Sequence, residues 1–247
     1  MFRNQYDSEI TLYSPEGQLL QIEYAKNAAN NGNLLFAIKS TCHVVFVSLD
    51  RDIEYITKKT NKIFSINENT TIGITGITED GILLHTLIEN KVKEYEIGNN
   101  IPMSASNLAF IFSKIFHTNT VYSGTRPFGV NILIGSYDKN NSSIFKINQD
   151  GFFKDNSGTA IGKESDVYKK IINCFAHNFK TSSVDELVYY IIQFVFEKEK
   201  ETYVNFFIAK KINICLTGKK LNFTFLNYKI SKFFTKLYFY IEKKTQV

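Results

Sequence analysis

The sequence predicts an α+β fold in which antiparallel sheets stack face to face and helices cover the outside. Blocks of hairpin-like strands alternate with pairs of amphipathic segments, whereas a parallel sheet would show strict strand–helix alternation. Hydrophobic residues make up 44% and aromatics 15% of the 247 residues, ample for a sizeable core. No Pro/Ser-rich linker, internal repeat or long low-complexity run divides the chain. By length alone it is one large domain or two ordinary ones.

The first element is the stretch "YDSEITLYSPEGQLLQIEYA", from Tyr6 to Ala25. Termini usually fray, so aromatic and apolar residues there need something to pack on. "SPEG" predicts a helix start, with Ser14 as N-cap, Pro15 in the first turn and Glu16 facing the dipole. Asn30, Asn31 and Gly32 predict its end, giving a helix over 15–31. Two apolar tracks run along it, Leu19, Ile22, Ala25 and Ala29 on one side and Leu20, Tyr24 and Ala28 on another. A surface helix ordinarily has one stripe. Two imply a helix held between its own domain and a partner.

Strands are predicted at "LLFAIK" (34–39) and "HVVFVSLD" (43–50), rich in β-branched and aromatic residues and joined by a short turn. "KIFSI" and "TTIGITGI" predict a second pair. Helical periodicity covers about 79–97 and 104–121. Strands resume at "FGVNILIGSYD" and "SSIFKI", with a turn at Asp150-Gly151. Two further helices are expected over about 164–178 and 183–201. "VNFFIAKK" and "LNFTFLN" then return to strand, followed by a last helix.

Composition excludes several functions. No run approaches the ~18 apolar residues of a membrane span, and "MFRNQYDSEI" has no apolar signal core. Cys42, Cys174 and Cys215 are odd in number and lack motif spacing, which points to a reducing compartment. The +5 charge is uneven: nine lysines and one glutamate follow Thr202, so the first 201 residues carry −3. Only three arginines are present, too few for typical base and phosphate readout. We therefore read the basic end as a solvated surface, not a nucleic-acid site. Cys42-His43 has no second pair at metal spacing. Gly73, Gly76 and Gly81 lack phosphate-loop spacing, and tight strand-to-helix packing is their expected role. No cofactor and no metal are expected.

The opening stretch resembles the N-terminal signature of proteasome alpha-type subunits. Tyr6, Tyr13, Ser14, Pro15, Gly17, Gln21, Ile22, Glu23, Tyr24 and Ala25 fit that pattern, while Gln18 stands where the family has a basic residue. "GTRPFGV" (124–130) is similar to the family's Gly-x-Arg-Pro-aromatic-Gly-Val block, and "GTAIG" (158–162) to its small-residue turn before a helix. The likeness runs to about residue 211 and is greatest to the sixth alpha type of the eukaryotic ring.

The resemblance implies a single domain over 1–247 with the N-terminal-nucleophile hydrolase fold, a four-layer α-β-β-α sandwich. It implies a gate leader at 1–13 and a signature helix at 15–31. The implied partners are other alpha subunits in a heteroheptameric ring, the beta ring, and a regulatory particle or other activators, in cytoplasm and nucleus. Nucleic acid and membrane are not among them. In this reading Leu20, Tyr24 and Ala28 face a neighbouring subunit. Tyr6, Asp7, Pro15 and Tyr24 match the cluster that holds the gate open, and Lys62 matches the lysine that receives an activator's C-terminal carboxylate. Catalytic relatives use an N-terminal threonine released at Gly-Thr. Here the junction is Gly32-Asn33, and neither Asn33 nor Leu34 nor Leu35 has a nucleophilic oxygen. Asp50 and Lys58 fall near the acid and lysine of those relatives without a nucleophile to serve. The competing reading is a hydrolase of the same fold using Thr41 or Cys42, which the sequence places in the turn after the first strand.

Overall fold

Two five-stranded antiparallel sheets stack face to face, with helix pairs on both outer surfaces. The computed structural model describes residues 9–50, 61–138, 141–199, 211–218 and 221–229. In chain order these hold α1 (Leu20–Asn30), β1 (Leu34–Lys39), β2 (His43–Asp50), β3 (Ile63–Asn67) and β4 (Thr70–Gly76). Then come α2 (Thr78–Asn99), α3 (Ala105–Val121), β5 (Val130–Asp138), β6 (Asn141–Ile147), β7 (Phe153–Asp155) and β8 (Gly158–Ile161). The order closes with α4 (Ser165–Phe179), α5 (Val184–Glu199), β9 (Lys211–Gly218) and β10 (Leu221–Lys229).

One sheet runs β10-β9-β2-β1-β8 and the other β3-β4-β5-β6-β7. β1 shows why its residues are a continuous apolar run. Leu34, Phe36 and Ile38 pack under Tyr168 and Ile172 of α4 and Leu187, Ile191 and Phe194 of α5. Leu35 and Ala37 point the other way and meet Leu133 and Ile144 of the second sheet. A strand buried on both faces has no polar side to offer. β5 repeats this: Ile132 and Ile134 pack with Leu84, Ile88, Phe112 and Phe116 of α2 and α3, while Leu133 faces inward. Phe46 of β2 fills a socket between the sheets, where a Cβ on Gly135 would lie 2.5 Å from its ring and one on Gly73 3.3 Å.

The structure corrects three expectations. α1 begins at Leu20, with Leu19 at the N-cap, so neither Ser14 nor Pro15 starts it. "GTAIG" is mostly strand: Gly158–Ile161 pairs with β1 and completes one sheet. The strand expected over 204–211 lies, except for Lys211, outside the described residues. Lys211–Gly218 forms a strand beside β2, on the side away from β1. Of the three glycines given to strand-to-helix packing, Gly81 fits, against Ile74, and so does Gly76, where β4 meets Ala29 of α1, whereas Gly73 meets Leu35 between the sheets. The expected last helix lies outside the described residues.

Candidate functional site

Ser14-Pro15-Glu16-Gly17 is the tip of a small hairpin, not a helix cap. Gly17 N donates to Ser14 O at 2.8 Å and Ser14 N to Gln18 O at 2.8 Å, and Tyr13 bridges to Leu19. Gly17 has φ +77°, the left-handed position that a three-residue hairpin loop assigns to glycine. Pro15 presets the backbone of the turn. Ser14 Oγ accepts from Gln18 N at 3.2 Å, so the hydroxyl caps the hairpin. Tyr6 and Asp7 lie outside the described residues; Pro15 is exposed on the hairpin and Tyr24 one turn into α1.

α1 lies across one end of the sandwich, over β4 and β5. Ile22, Ala25 and Ala29 are buried, which is the track expected to face the chain's own domain. On the other track Tyr24 is 46% exposed, while Leu20 and Ala28 are half-buried. The C-terminal half of α1 sits on backbone: a Cβ on Gly76 would lie 3.2 Å from Ala29 Cα, and one on Gly129 3.4 Å from Ala28 Cβ. Side-chain amides continue the contact. Asn131 Nδ2 donates to Asn30 Oδ1 at 3.1 Å, and Gln149 Nε2 donates to Asn131 Oδ1 at 3.1 Å and Val130 O at 2.7 Å.

Beneath that seat, Asp80 in the first turn of α2 accepts both guanidinium nitrogens of Arg126, at 2.6 and 2.7 Å, and Gly129 N at 3.0 Å. This explains the Arg in "GTRPFGV". The Arg126 bonds hold the buried Asp80 carboxyl below its ordinary value against the opposing effect of burial, with help from Gly129 N–H. Sequence reading does not single out Asp80. Its only signal is an acid in the first turn of a helix, and its partner lies 46 positions away. A cavity of about 360 Å³ beside Arg126 is lined by Glu9, Thr11, Gln21 and Ser123. Among the described residues that line it, Arg126 is paired with Asp80 and Glu9 adds a negative charge.

Lys62 directly precedes β3 and is half-buried, with Nζ donating to Thr78 Oγ1 at 3.4 Å. Phe64, Ile74, Ile77 and Ile82 line the same cleft, so Lys62 sits beside apolar walls. The cleft holds ≈ 20 Å³, room for about one water molecule. Phe64 also packs on His85 at 4.3 Å, and burial pulls that imidazole below its ordinary value. Lys58 lies outside the described residues.

The start of β1 is enclosed. Thr75 Oγ1 donates to Asn33 O, Lys163 N donates to Gly32 O at 2.9 Å, and a Cβ on Gly162 would lie 2.3 Å from Asn33 O. Residue 33 continues directly from α1. Thr41 and Cys42 sit in the β1–β2 turn, where Thr41 Oγ1 donates to Lys180 O at 3.2 Å and lies 3.7 Å from Cys42 Sγ. Among the described residues no cluster of three or more His, Cys, Asp or Glu is placed to hold a metal, and no helix is long and apolar enough to cross a membrane.

Comparison with known proteins agrees with this architecture. The model of the proteasome subunit family matches residues 29–209, and that of the N-terminal signature of proteasome A subunits matches residues 6–28. The chain is 32% identical over 188 residues to a Caenorhabditis elegans protein named as proteasome subunit, alpha type-1, covering 76% of this chain and 72% of that one. It is 29% identical over 188 residues to the probable proteasome subunit, alpha type-6, of Schizosaccharomyces pombe, covering 76% and 69%. It is 26% identical over 226 residues to the proteasome subunit, alpha type-6, of Saccharomyces cerevisiae, covering 91% and 95%. Both the N-terminal signature and the relatives are of the alpha type, so the alternative hydrolase built on Cys42 or Thr41 is not supported.

Proposed function

The chain belongs to the proteasome subunit family, in its alpha type, and on that premise we propose that it is a structural member of the alpha ring of the 20S core particle. Its work is assembly, control of substrate access and docking of activators in ubiquitin-dependent protein degradation, within cytoplasm and nucleus. The observation that carries this reading is α1: one track buried on its own sandwich, Tyr24 of the other exposed. An exposed aromatic on a helix otherwise seated on its own fold is what a subunit contact requires.

The subunit contributes no catalysis of its own. Asn33 stands where catalytic relatives carry the threonine nucleophile, and its amide cannot attack a carbonyl. Its backbone is continuous with α1, so it has no free amine to act as base. Neighbouring alpha subunits complete a heteroheptameric ring through Leu20, Tyr24 and Ala28, and the beta ring below supplies the active sites. The leader over 1–13 narrows the axial pore, with Tyr6, Asp7, Pro15 and Tyr24 holding its open arrangement. Lys62 receives the C-terminal carboxylate of an activator. Because its own cleft admits only a water-sized group, the neighbour supplies the second wall of that groove.

Native mass of particles purified through a tag on this chain tests the proposal. Co-purification in an assembly of several hundred kilodaltons with beta-type peptidase activity is expected; a monomer or dimer overturns it. Deleting residues 2–9 should raise basal peptide hydrolysis by the latent particle. An unchanged rate would remove this leader from the gate.

A further inference from the structure

We propose that Asn131 and Gln149 are the positioning residues of α1: their buried amides fix the roll of the helix and thereby select which track faces outward. The inference rests on the ring reading only for what the outward track meets. Apolar contact is non-directional, and α1 has two apolar tracks whose mean directions lie about 130° apart around the helix. Hydrophobic burial alone would accept either. Hydrogen bonds are directional, and here they form a ladder of side-chain amides from Gln149 to Asn131 to Asn30, the last residue of the helix. Asn131 is 4% exposed and Gln149 2% exposed, so a rolled helix would leave buried amide groups unpaired. The seat adds shape to direction. The close approach of Gly76 and Gly129 to α1 suits Ala29 and Ala28, and has no room for the ring of Tyr24. Asn131 and Gln149 are buried and reach the helix through Asn30, so their effect on assembly passes through α1.

The test uses the full chain and three substitutions in or beside the helix. Asn30→Leu removes the acceptor, Asn30→Asp keeps an acceptor oxygen at the same place, and Asn31→Leu controls for a change at the helix end. Hydrogen exchange of α1 amides should quicken about tenfold or more in Asn30→Leu, while β5 amides stay protected. Asn30→Asp and Asn31→Leu should stay near the parent. Gln149→Leu, which leaves the helix sequence untouched, should loosen α1 in the same way. Unchanged α1 exchange in Asn30→Leu overturns the proposal, as does equal loosening in Asn30→Asp. Incorporation into particles is read separately on the same variants. If α1 loosens as expected yet incorporation is unaffected, the ladder stands and the role of α1 in assembly falls.

Discussion

The two halves of α1 are built on opposite terms. From Ala25 to Asn30 the helix is committed to its own fold: alanines rest on Gly76 and Gly129, and Asn30 enters the amide ladder. From Leu20 to Tyr24 only Ile22 is buried, Tyr24 is 46% exposed, and the segment is reached through a hairpin whose Tyr13 is 62% exposed. On the proposed ring reading, the difference teaches how one short helix can serve two contacts. Anchoring at the C-terminal end fixes orientation, and that leaves much of the N-terminal end available to a neighbour.

The comparison breaks most severely at Gly76. Its φ of +128° is disfavoured for any side chain, and a Cβ there would lie 2.2 Å from Gly129 O. Gly76→Val should cost more than about 3 kcal/mol in denaturant unfolding, since strain and a backbone clash coincide. A loss within error of zero would mean the seat is soft. Next comes Asp80→Ala, which unties Arg126 and Gly129 beneath the seat. About 2 kcal/mol is expected, less than for a fully buried pair because the Arg126 side chain is 64% exposed. The native carboxyl titrates below its unfolded value of about 3.9. Its contribution is therefore present above that value and disappears as pH falls through the lower native one. The parent and Asp80→Asn should thus differ in unfolding midpoint at pH 6 and converge in strong acid. A gap independent of pH would refute the assignment.

How much of this is legible in the sequence follows from where each signal lies. β1, β2 and β5 stand out because strands buried on both faces are rich in apolar side chains. The start of α1 is misleading because Ser-Pro-x-Gly serves equally as a helix cap and as a hairpin tip; the glycine three positions after the serine is the deciding clue. β8 reads as a turn because Gly158, Thr159 and Ala160 are small, a consequence of lying close under α4. β9 is hidden beside a greasier stretch, although Ile212, Ile214 and Leu216 alternate with Asn213, Cys215 and Thr217. The two-track reading of α1 places Ile22, Ala25 and Ala29 inward as observed. It does not reveal that Ala28 is half shared with the seat, since Gly129 lies about a hundred residues away.

That sharing sharpens the assembly test. Ala28→Glu should block incorporation into the ring, but it will also strain the contact with Gly129. Tyr24→Ser isolates the outward half: incorporation in competition with the parent should fall about tenfold, with stability changed by no more than about 0.5 kcal/mol. Equal incorporation would show that a neighbour does not use this ring. The smallest effect is expected at Lys62. Lys62→Ala should weaken binding of an activator's C-terminal peptide to the intact particle by about tenfold at this groove, and by less in overall avidity. Assembly should be unaffected. Parental binding would leave the groove unused or built from other residues.

The Phe46 socket has a consequence for the birth of the protein. β1 and β2 are neighbours along the chain and can pair as soon as both have left the ribosome. The ring of Phe46 then waits for Gly135, which follows about 90 residues later. At roughly 5–20 residues per second that is a delay of roughly 5–20 s, during which the inner face of a finished hairpin is only partly covered. Native closure of the sandwich is thus a late, long-range event, and the nascent chain is most prone to aggregate while its second sheet is still being made.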